Sequence, residues 1–251
     1  MGVYIVTGAA GFIGSCLTLR LINDGHQVVT VDNLTTGFRE NIPEGTFFLE
    51  GDCQNPEIYK KLPRKNYDAI FHIAGQSSGE LSFENPSNDL RTNTESTLHL
   101  LKFALSVGCS RFVYASTMSV YGVKPDRPVC ENEETLPTSF YGVGKLASEH
   151  YIRLYELYGI NSTSLRLFNV YGPGQNMGNL KQGMVSIYLA QILKNHHIVV
   201  KGGLDRYRDF VYIDDVVEAF MACLNNSDSY GKVINIGTGI RTTVQQLIDK
   251  M

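Results

Sequence analysis

The chain has 251 residues, of which 43% are hydrophobic and 19% charged, so it can bury the core of one large domain and is not typical of disordered chains. Its net charge of −3 gives no general attraction to nucleic acid or to an anionic membrane, and we expect neither as a partner. The five cysteines are odd in number and widely spaced, which predicts reduced thiols in a cytoplasmic protein. No cluster of His, Cys or carboxylate residues has the spacing of metal ligands, so we predict no catalytic metal.

Short β-branched runs alternate with segments of helical periodicity through most of the chain. The predicted strands span 3–7, 26–31, 47–50, 69–73, 111–115 and 162–168, and the predicted helices span 12–24, 89–107 and 141–158. Strands that alternate with helices form βαβ units and a parallel sheet that is covered on both faces. The sequence therefore predicts an α/β fold built on a Rossmann-like, doubly wound parallel sheet.

The sequence after residue 170 is less regular. It predicts helices over 183–195 and 214–224, the second preceded by the run 210–213, and short strands over 198–200 and 233–236. We expect Asp214 to cap the second of these helices, and Thr242 or Thr243 to cap an amphipathic segment that runs to Met251. The apolar stripe of that last segment needs a cover, so we expect the natural chain to continue beyond it.

A glycine-rich turn lies between the first predicted strand and the first predicted helix. Gly8 permits the tight turn, Gly11 lets the backbone approach a pyrophosphate, and Gly14 lets the helix pack closely on the strand. The N-terminus of the helix then offers N–H donors and a positive dipole to phosphate groups. Asp32 closes the second strand, where a carboxylate accepts hydrogen bonds from ribose hydroxyls and repels a 2′-phosphate. The pattern predicts a dinucleotide site that prefers NAD to NADP.

The carboxyl ends of other predicted strands carry further polar groups. Asp52 ends the third strand and either faces the adenine of a bound dinucleotide or caps the turn. Ser116 and Thr117 follow the fifth strand at the same edge of the sheet, where a hydroxyl can orient a substrate and share its proton.

Tyr141 and Lys145 are spaced to lie one turn apart on the same helix face. A free tyrosine has a pKa of about 10 and is a poor base at neutral pH. An adjacent ammonium stabilises the phenolate, so we expect Lys145 to lower the pKa of Tyr141 and to bond the nicotinamide ribose as well.

These residues resemble the extended short-chain dehydrogenase/reductases, the NAD-dependent epimerase/dehydratase family. The similarity runs from Val3 onward in nine blocks, in the family's order. The blocks span 7–14, 32–34, 51–52, 72–75, 116–122, 141–145, 165–173, 208–215 and 235–239.

The resemblance implies a role for each matching residue. Thr117 is the catalytic hydroxyl, Tyr141 the base and Lys145 its partner. The substrate contacts implied are Thr117, Tyr141, Asn169 and Arg208, the last binding a diphosphate unless it forms a surface ion pair with Asp205 or Asp209. The cofactor contacts implied are Gly8, Gly11, Phe12, Ile13, Gly14, Asp32, Asn33, Asp52, Cys53, Ala74, Gly75, Asn93, Ser116, Tyr141, Lys145 and Phe168. For Asn93, a structural bond from the helix to a loop is the alternative.

The subfamily follows from the residues after Thr117. The dehydratases of the family carry an Asp-Glu pair there, and Met118 and Ser119 are neither acids nor bases at neutral pH. Asp32-Asn33-Leu34 resembles the nucleotide-sugar 4-epimerases, although the segment 76–80 is not the usual epimerase sequence. The resemblance therefore implies an NAD-dependent nucleotide-sugar 4-epimerase. A nucleotide-sugar reductase or dehydrogenase with net redox, and an NAD-sensing scaffold without catalysis, remain alternatives. A 4,6-dehydratase is a less favoured one.

The resemblance also implies how the chain is organised. We expect residues 1–170 to form the NAD-binding domain with the catalytic residues. Residues 171–251 would contribute to a substrate-binding part, return to the sheet and be truncated at the C-terminus. The expected ligands are NAD and a nucleotide-diphosphate sugar. A homodimer through the helices predicted over 89–107 and 141–158 is typical of the family.

Overall fold

Seven parallel strands form the central sheet, in the order β10-β6-β5-β4-β1-β2-β3. A computed structural model describes all 251 residues of the chain. The strands are β1 (Val3–Thr7), β2 (Gln27–Asp32), β3 (Phe47–Glu50), β4 (Ala69–His72), β5 (Arg111–Thr117), β6 (Asn161–Leu167), β7 (Asn169–Tyr171), β8 (Tyr207–Arg208), β9 (Phe210–Tyr212), β10 (Lys232–Ile236) and β11 (Thr242–Thr243). The doubly wound, Rossmann-like α/β fold expected from the sequence is confirmed.

Helices connect these strands and cover the sheet. They are α1 (Phe12–Asn23), α2 (Gly79–Glu84), α3 (Pro86–Leu90), α4 (Ser96–Ser106), α5 (Phe140–Tyr155), α6 (Met184–Asn195), α7 (Ile213–Ala222) and α8 (Val244–Asp249). Short 3₁₀ helices span Arg39–Asn41, Pro56–Lys61, Met118–Tyr121, Glu156–Tyr158 and Ser227–Ser229. The single helix predicted over 89–107 is instead α3 and α4 joined by a π-helical turn at Arg91–Glu95.

The core lies in two layers, because successive residues of each buried strand point to opposite faces of the sheet. Val6, Phe71 and Val113 face α1 and α7, where Leu17, Leu21 and Phe220 are fully buried. Their neighbours Ile5, Ile70 and Phe112 face α4 and α5, where Leu100, Leu101 and Ile152 complete the second layer. Both faces are thus apolar, which explains why these strands read as continuous hydrophobic runs.

The residues after 170 form small sheets and then return to the large one. β7 pairs with β9, β8 pairs with β11, and β10 pairs in parallel with β6. A third apolar cluster joins α6 to α8 through Tyr188, Val244 and Leu247. The division of the chain near residue 170 stays a prediction.

Two expectations for this part of the chain are wrong. The strand over 198–200 does not form, because the N–H of Val199 donates to Oε1 of Gln191 on α6 instead of to a neighbouring strand. Asp214 does not cap α7, since the helix begins at Ile213 and Asp214 lies in its first turn. Thr243 does cap α8, and it forms a full capping box with Gln246.

The structure contains no helix with the length and apolar character needed to cross a membrane. All five cysteines are free thiols. The cytoplasmic location stays a prediction.

A buried ion pair joins α5 to β6 beneath the carboxyl end of the sheet. The guanidinium of Arg166 donates to both carboxylate oxygens of Glu149, at 3.0 and 2.7 Å, and each side chain is 5% exposed. Ser116 donates its hydroxyl to the same carboxylate, and the ring of Tyr121 lies 4.7 Å from the guanidinium carbon. The pair is therefore both bidentate and fully enclosed.

We expect Glu149→Ala to lower the free energy of unfolding by about 3–5 kcal/mol, because it leaves Arg166 buried without its counter-charge. Glu57→Ala is the control, since Glu57 forms only an exposed pair with Lys60 and its loss should leave stability nearly unchanged. Urea unfolding followed by circular dichroism measures both. Equal midpoints for the two variants would show that the buried pair contributes no more than the exposed one.

Candidate active site

The turn between β1 and α1 is a cradle with almost no free space behind it. Gly8 has φ +71°, and a Cβ there would lie 2.7 Å from the backbone nitrogen of Ala74. A Cβ on Gly14 would collide with the carbonyl oxygen of Gly8. The first turn of α1 contains no acidic residue, so nothing opposes an anion at its N-terminus. The turn is thus shaped to receive a phosphate group.

Asp32 ties the cradle to the loop that follows β2. Its Oδ2 accepts a hydrogen bond from the N–H of Ala10 at 2.9 Å, and its Oδ1 accepts one from Leu34 at 2.8 Å. These bonds hold Leu34 at φ +56°, a backbone conformation that is uncommon for a leucine. The carboxylate therefore organises the loop as well as facing the cleft.

Asp52 lies in the loop two residues after β3, which ends at Glu50 as the predicted strand does. Its carboxylate accepts hydrogen bonds from the side chains of Asn33 at 2.9 Å and Gln54 at 2.8 Å. Its Oδ1 accepts a hydrogen bond from the backbone N–H of Gln54 at 2.9 Å, so Asp52 caps the turn and also lines the cleft.

A cavity of about 370 Å³ opens above the cradle. The expected cofactor residues that line it are Gly8, Gly11, Phe12, Ile13, Gly14, Asp32, Asn33, Asp52, Cys53, Ala74 and Gly75. The expected residues that do not line it are Asn93, Ser116, Tyr141, Lys145 and Phe168. The polar lining, the free helix N-terminus and Asp32 together fit a dinucleotide.

The sequence did not reveal the part of the wall that comes from the segment 175–182. Gln175, Asn176, Asn179 and Gln182 line the cavity from the C-terminal side of the chain. Gln182 donates to the hydroxyl of Ser77 at 2.6 Å, and Lys181 forms an exposed ion pair with Glu84 of α2 at 3.0 Å. The Asn and Gln residues of this segment indicate a polar surface, but they do not indicate that this surface faces the cavity.

Thr117, Tyr141 and Lys145 are buried together at the carboxyl end of β5, exposed by 6%, 8% and 4%. Lys145 donates from Nζ to the carbonyl of Ala115 at 3.0 Å and lies 4.8 Å from the ring centre of Tyr114. A Cβ on Gly75 would come within 3.2 Å of the same Nζ, so the lysine adjoins the cleft wall.

Burial dominates the protonation of this group. It raises the pKa of Tyr141 to about 12, although the hydroxyl of Thr117 acts in the opposite direction. It also lowers the pKa of Lys145 to about 8, against the nearby carboxylates of Asp89 and Glu149, which raise it. The expectation that Lys145 lowers the pKa of Tyr141 below its usual value is therefore wrong, because desolvation of the phenolate is the larger effect.

Arg208 carries a half-buried guanidinium without a carboxylate partner. Its Nη1 donates only to the carbonyl of Tyr207 at 2.8 Å, and burial lowers its pKa. The alternative of an ion pair with Asp205 or Asp209 is wrong, because Asp209 instead accepts hydrogen bonds from Thr238 and Gly239. Arg208 is thus free to bind an external anion.

The remaining expected contacts have partners inside the protein. Asn169 donates from Nδ2 to the carbonyl of Asp209 at 3.0 Å. The hydroxyl of Ser116 is committed to Glu149, so only its backbone is left for a cofactor. Phe168 lies between β6 and β7, and its N–H donates to Ile236.

Asn93 lies in the π-helical turn, a feature that is common at functional sites. Its Nδ2 donates to the carbonyl of Gln76 at 3.0 Å, which is the helix-to-loop bond considered from the sequence. Its buried Oδ1 has no partner and lies close to Gly75 on the cleft wall. An acceptor without a donor next to the cleft fits a ligand that supplies one.

Comparisons with known proteins agree with this geometry. The UDP-glucose 4-epimerase of Mycolicibacterium smegmatis is 35% identical over 250 residues, which cover 97% of this chain and 79% of that protein. The crystal structure of UDP-glucose 4-epimerase from Thermotoga maritima with UDP-glucose has a TM-score of 0.93 and 35% identity, covering 98% of this chain and 80% of that one. The Thermus thermophilus UDP-glucose 4-epimerase complex with NAD has a TM-score of 0.90 and 34% identity, with coverage of 98% and 81%.

The match to a family model spans most of the chain. Residues 4–237 fit the NAD dependent epimerase/dehydratase family, so both layers of the core and all the site residues described above fall within the matched region. With its Rossmann-like sheet, the chain therefore belongs to the NAD-dependent epimerase/dehydratase family, and its cofactor is NAD.

Proposed function

We propose that this protein is an NAD-dependent nucleotide-sugar 4-epimerase. The observation that carries the proposal is the joint burial of Thr117, Tyr141 and Lys145 beside the wall of the dinucleotide cleft. Met118 and Ser119 supply no acid or base for elimination of water, which argues against a dehydratase. The 4-epimerase names of the similar proteins support the same reaction.

The substrate class follows from Arg208 and Asn169. A guanidinium without a carboxylate partner suits bidentate binding of a diphosphate, and Asn169 adds an amide at the edge of β7. We therefore propose that the substrate is a nucleoside diphosphate hexose.

Thr117 and Tyr141 handle the proton of the sugar C4 hydroxyl in the proposed mechanism. Thr117 orients the hydroxyl, and Tyr141 accepts its proton directly or through Thr117. The chemistry that bound NAD supplies is reversible acceptance of a hydride from C4. The 4-keto sugar turns over in its pocket, and Tyr141 then returns the proton to the oxygen at C4. No net redox change occurs.

Lys145 is the cation that supports this cycle. A phenol with a pKa of about 12 keeps its proton at pH 7, which is the form that returns a proton to the keto sugar. The phenolate needed for the oxidation step forms only beside a positive charge. Lys145, with a pKa of about 8, is mostly charged at pH 7, and its support is lost as the pH rises through 8.

The proposal is tested by incubating the protein with UDP-, GDP-, CDP- and dTDP-hexoses without added cofactor, and by resolving the products by chromatography and NMR. We expect interconversion of C4 epimers. Tyr141→Phe should retain NAD and lose about 10²–10⁴-fold in turnover, since it removes the general base. Tyr158→Phe, at an exposed position, is the matched control.

Two outcomes would overturn the epimerase proposal. Turnover only with stoichiometric NAD or NAD(P)H would indicate a reductase or dehydrogenase. Binding of NAD without turnover of any sugar nucleotide would indicate an NAD-sensing scaffold.

The proposed role of Asp32 at the ribose predicts a change in cofactor preference. Asp32→Ala should raise the Kd for NAD roughly 10–100-fold, since a hydrogen bond to a charged group contributes about 1.5–3 kcal/mol. The Kd for NADP should rise less, because the variant no longer repels a 2′-phosphate. Isothermal titration calorimetry of both dinucleotides measures the ratio. An unchanged ratio would remove Asp32 from the ribose site.

We also propose that the protein is a homodimer that pairs through α4 and α5. The exposed face of α5 carries an apolar stripe at helical spacing, and α4 adds an exposed leucine beside it. The residues are Phe140, Val143, Tyr151 and Leu154 on α5 and Leu105 on α4. A contiguous apolar patch of this kind is typical of an interface.

Leu154→Glu should convert the dimer to a monomer, because it buries an unpaired charge in the interface. Analytical ultracentrifugation measures the mass. Leu19→Glu is the control, since Leu19 is equally exposed but lies on α1 at the opposite face of the sheet. Monomers from the unmodified protein, or an unaffected dimer in Leu154→Glu, would contradict the proposal.

A further inference from the structure

Asp89 is a buried carboxylate that the proposed mechanism leaves unused. It lies on α3, is 2% exposed and has no ion-pair partner within 4 Å. Its Oδ1 accepts hydrogen bonds from Nε2 of Gln76 at 2.9 Å and from Nδ2 of Asn93 at 3.1 Å. An enclosed carboxylate that is hydrogen-bonded but lacks a cation costs stability, so its presence calls for a physical reason.

Asp89 fixes the orientation of the Asn93 amide. The two N–H groups of this amide donate to Asp89 and to the carbonyl of Gln76. A flipped amide would place its oxygen against these two acceptors, so the observed orientation is the only one that the hydrogen bonds allow. The unpartnered Oδ1 is thereby held 2.5 Å from the position that a Cβ of Gly75 would take, and Nζ of Lys145 lies 3.2 Å from the same position.

The helix that carries Lys145 passes close to Asp89 because Gly144 has no side chain. A Cβ at Gly144 would lie 3.4 Å from Oδ2 of Asp89 and 3.3 Å from the Cβ of Asn93. The second oxygen of the carboxylate therefore faces α5, one residue from Lys145.

The charged groups around Asp89 are few. Tyr141 and Lys145 face it from α5, and the next carboxylate on that helix, Glu149, is paired with Arg166. His72 on β4 is fully buried between Thr7 and Thr97, and burial lowers its pKa to about 3, so it is neutral. Lys145 is thus the only cation in this pocket. Glu149 is already paired with Arg166, so Asp89 is the only carboxylate here without an ion-pair partner.

We propose that Asp89 is a positioning residue, which acts as the counter-charge of the Lys145 ammonium and, through Asn93, fixes a hydrogen-bond acceptor beside it. The carboxylate keeps Lys145 protonated and opposes ionisation of Tyr141. Asp89 thereby sets the pH range in which the pair exchanges a proton. The effect on turnover rests on the proposed function, whereas the coupling of charges does not.

The test is an NMR titration of protein labelled with ¹³C at the tyrosine ζ carbon, with Tyr141→Phe used to assign the signal. Asp89→Asn keeps the shape and the acceptor oxygen but removes the charge. We expect the midpoint of Tyr141 to fall by about one pH unit or more, because a like charge nearby disfavours the phenolate. Glu95→Gln removes an exposed carboxylate from the same helical stretch and should leave the midpoint unchanged.

A second variant keeps the test decisive if Asp89→Asn does not fold. Lys145→Met retains Asp89 and removes its cation, so the pKa of the Asp89 carboxyl, followed by ¹³C NMR, should rise. Unchanged midpoints of Tyr141 in Asp89→Asn or of Asp89 in Lys145→Met would overturn the inference. Coupled titrations in a protein that epimerises no sugar would refute the proposed function and leave the inference standing.

Discussion

The absence of side-chain atoms where α1 crosses β1 is the constraint on which the rest of the site depends. The carbonyl oxygen of Gly8 occupies the space that a Cβ of Gly14 would need. Because the helix starts this close to the strand, its N-terminus points along the carboxyl edge of the sheet, where the ends of β2, β3 and β4 meet. Asp32 then reaches back to the N–H of Ala10, so the same turn also positions the carboxylate that we propose to bind the ribose.

The other half of the site depends on what lies beneath α5. Glu149 and Lys145 are one turn apart, and both turn toward the sheet. Glu149 is satisfied by Arg166 and Ser116, which anchors the helix to β6 and β5. Lys145 instead donates to the carbonyl of Ala115 and lies near the ring of Tyr114, with no carboxylate within ion-pair distance. Glu149 therefore fixes the helix, whereas Lys145, one turn before it, remains available to a ligand.

The sequence predicts the elements near the cradle better than those far from it. Buried parallel strands are continuous apolar runs, and the strand–turn–helix around Gly8 and Gly14 has a local signature, so most of the cavity wall follows from the sequence. The triplet 198–200 is equally β-branched, but the side chain of Gln191 takes its N–H, a contact that no local pattern encodes.

Other features depend on contacts between distant segments. An acidic residue in a helix, such as Asp89, normally reads as solvent-exposed, and only the approach of α5 at Gly144 buries it. The π-helical turn at Arg91–Glu95 has no signature in composition. The segment 175–182 lines the cleft because of the path that the chain takes after β7.

Burial and the charges around Tyr141 and Lys145 have opposing effects on the protonation of these two side chains. The balance between these effects suits a reversible reaction. Burial disfavours both the phenolate and the ammonium, so it favours the neutral form of each side chain. The carboxylate of Asp89 favours the ammonium form of Lys145, but it also disfavours the phenolate form of Tyr141. A shift of one unit in the pKa of either side chain corresponds to about 1.4 kcal/mol.

A base that holds its proton too weakly cannot return it to a keto sugar, and one that holds it too strongly cannot take it up. An enzyme that runs both half-reactions in one site gains from a counter-charge that limits the phenolate and preserves the cation.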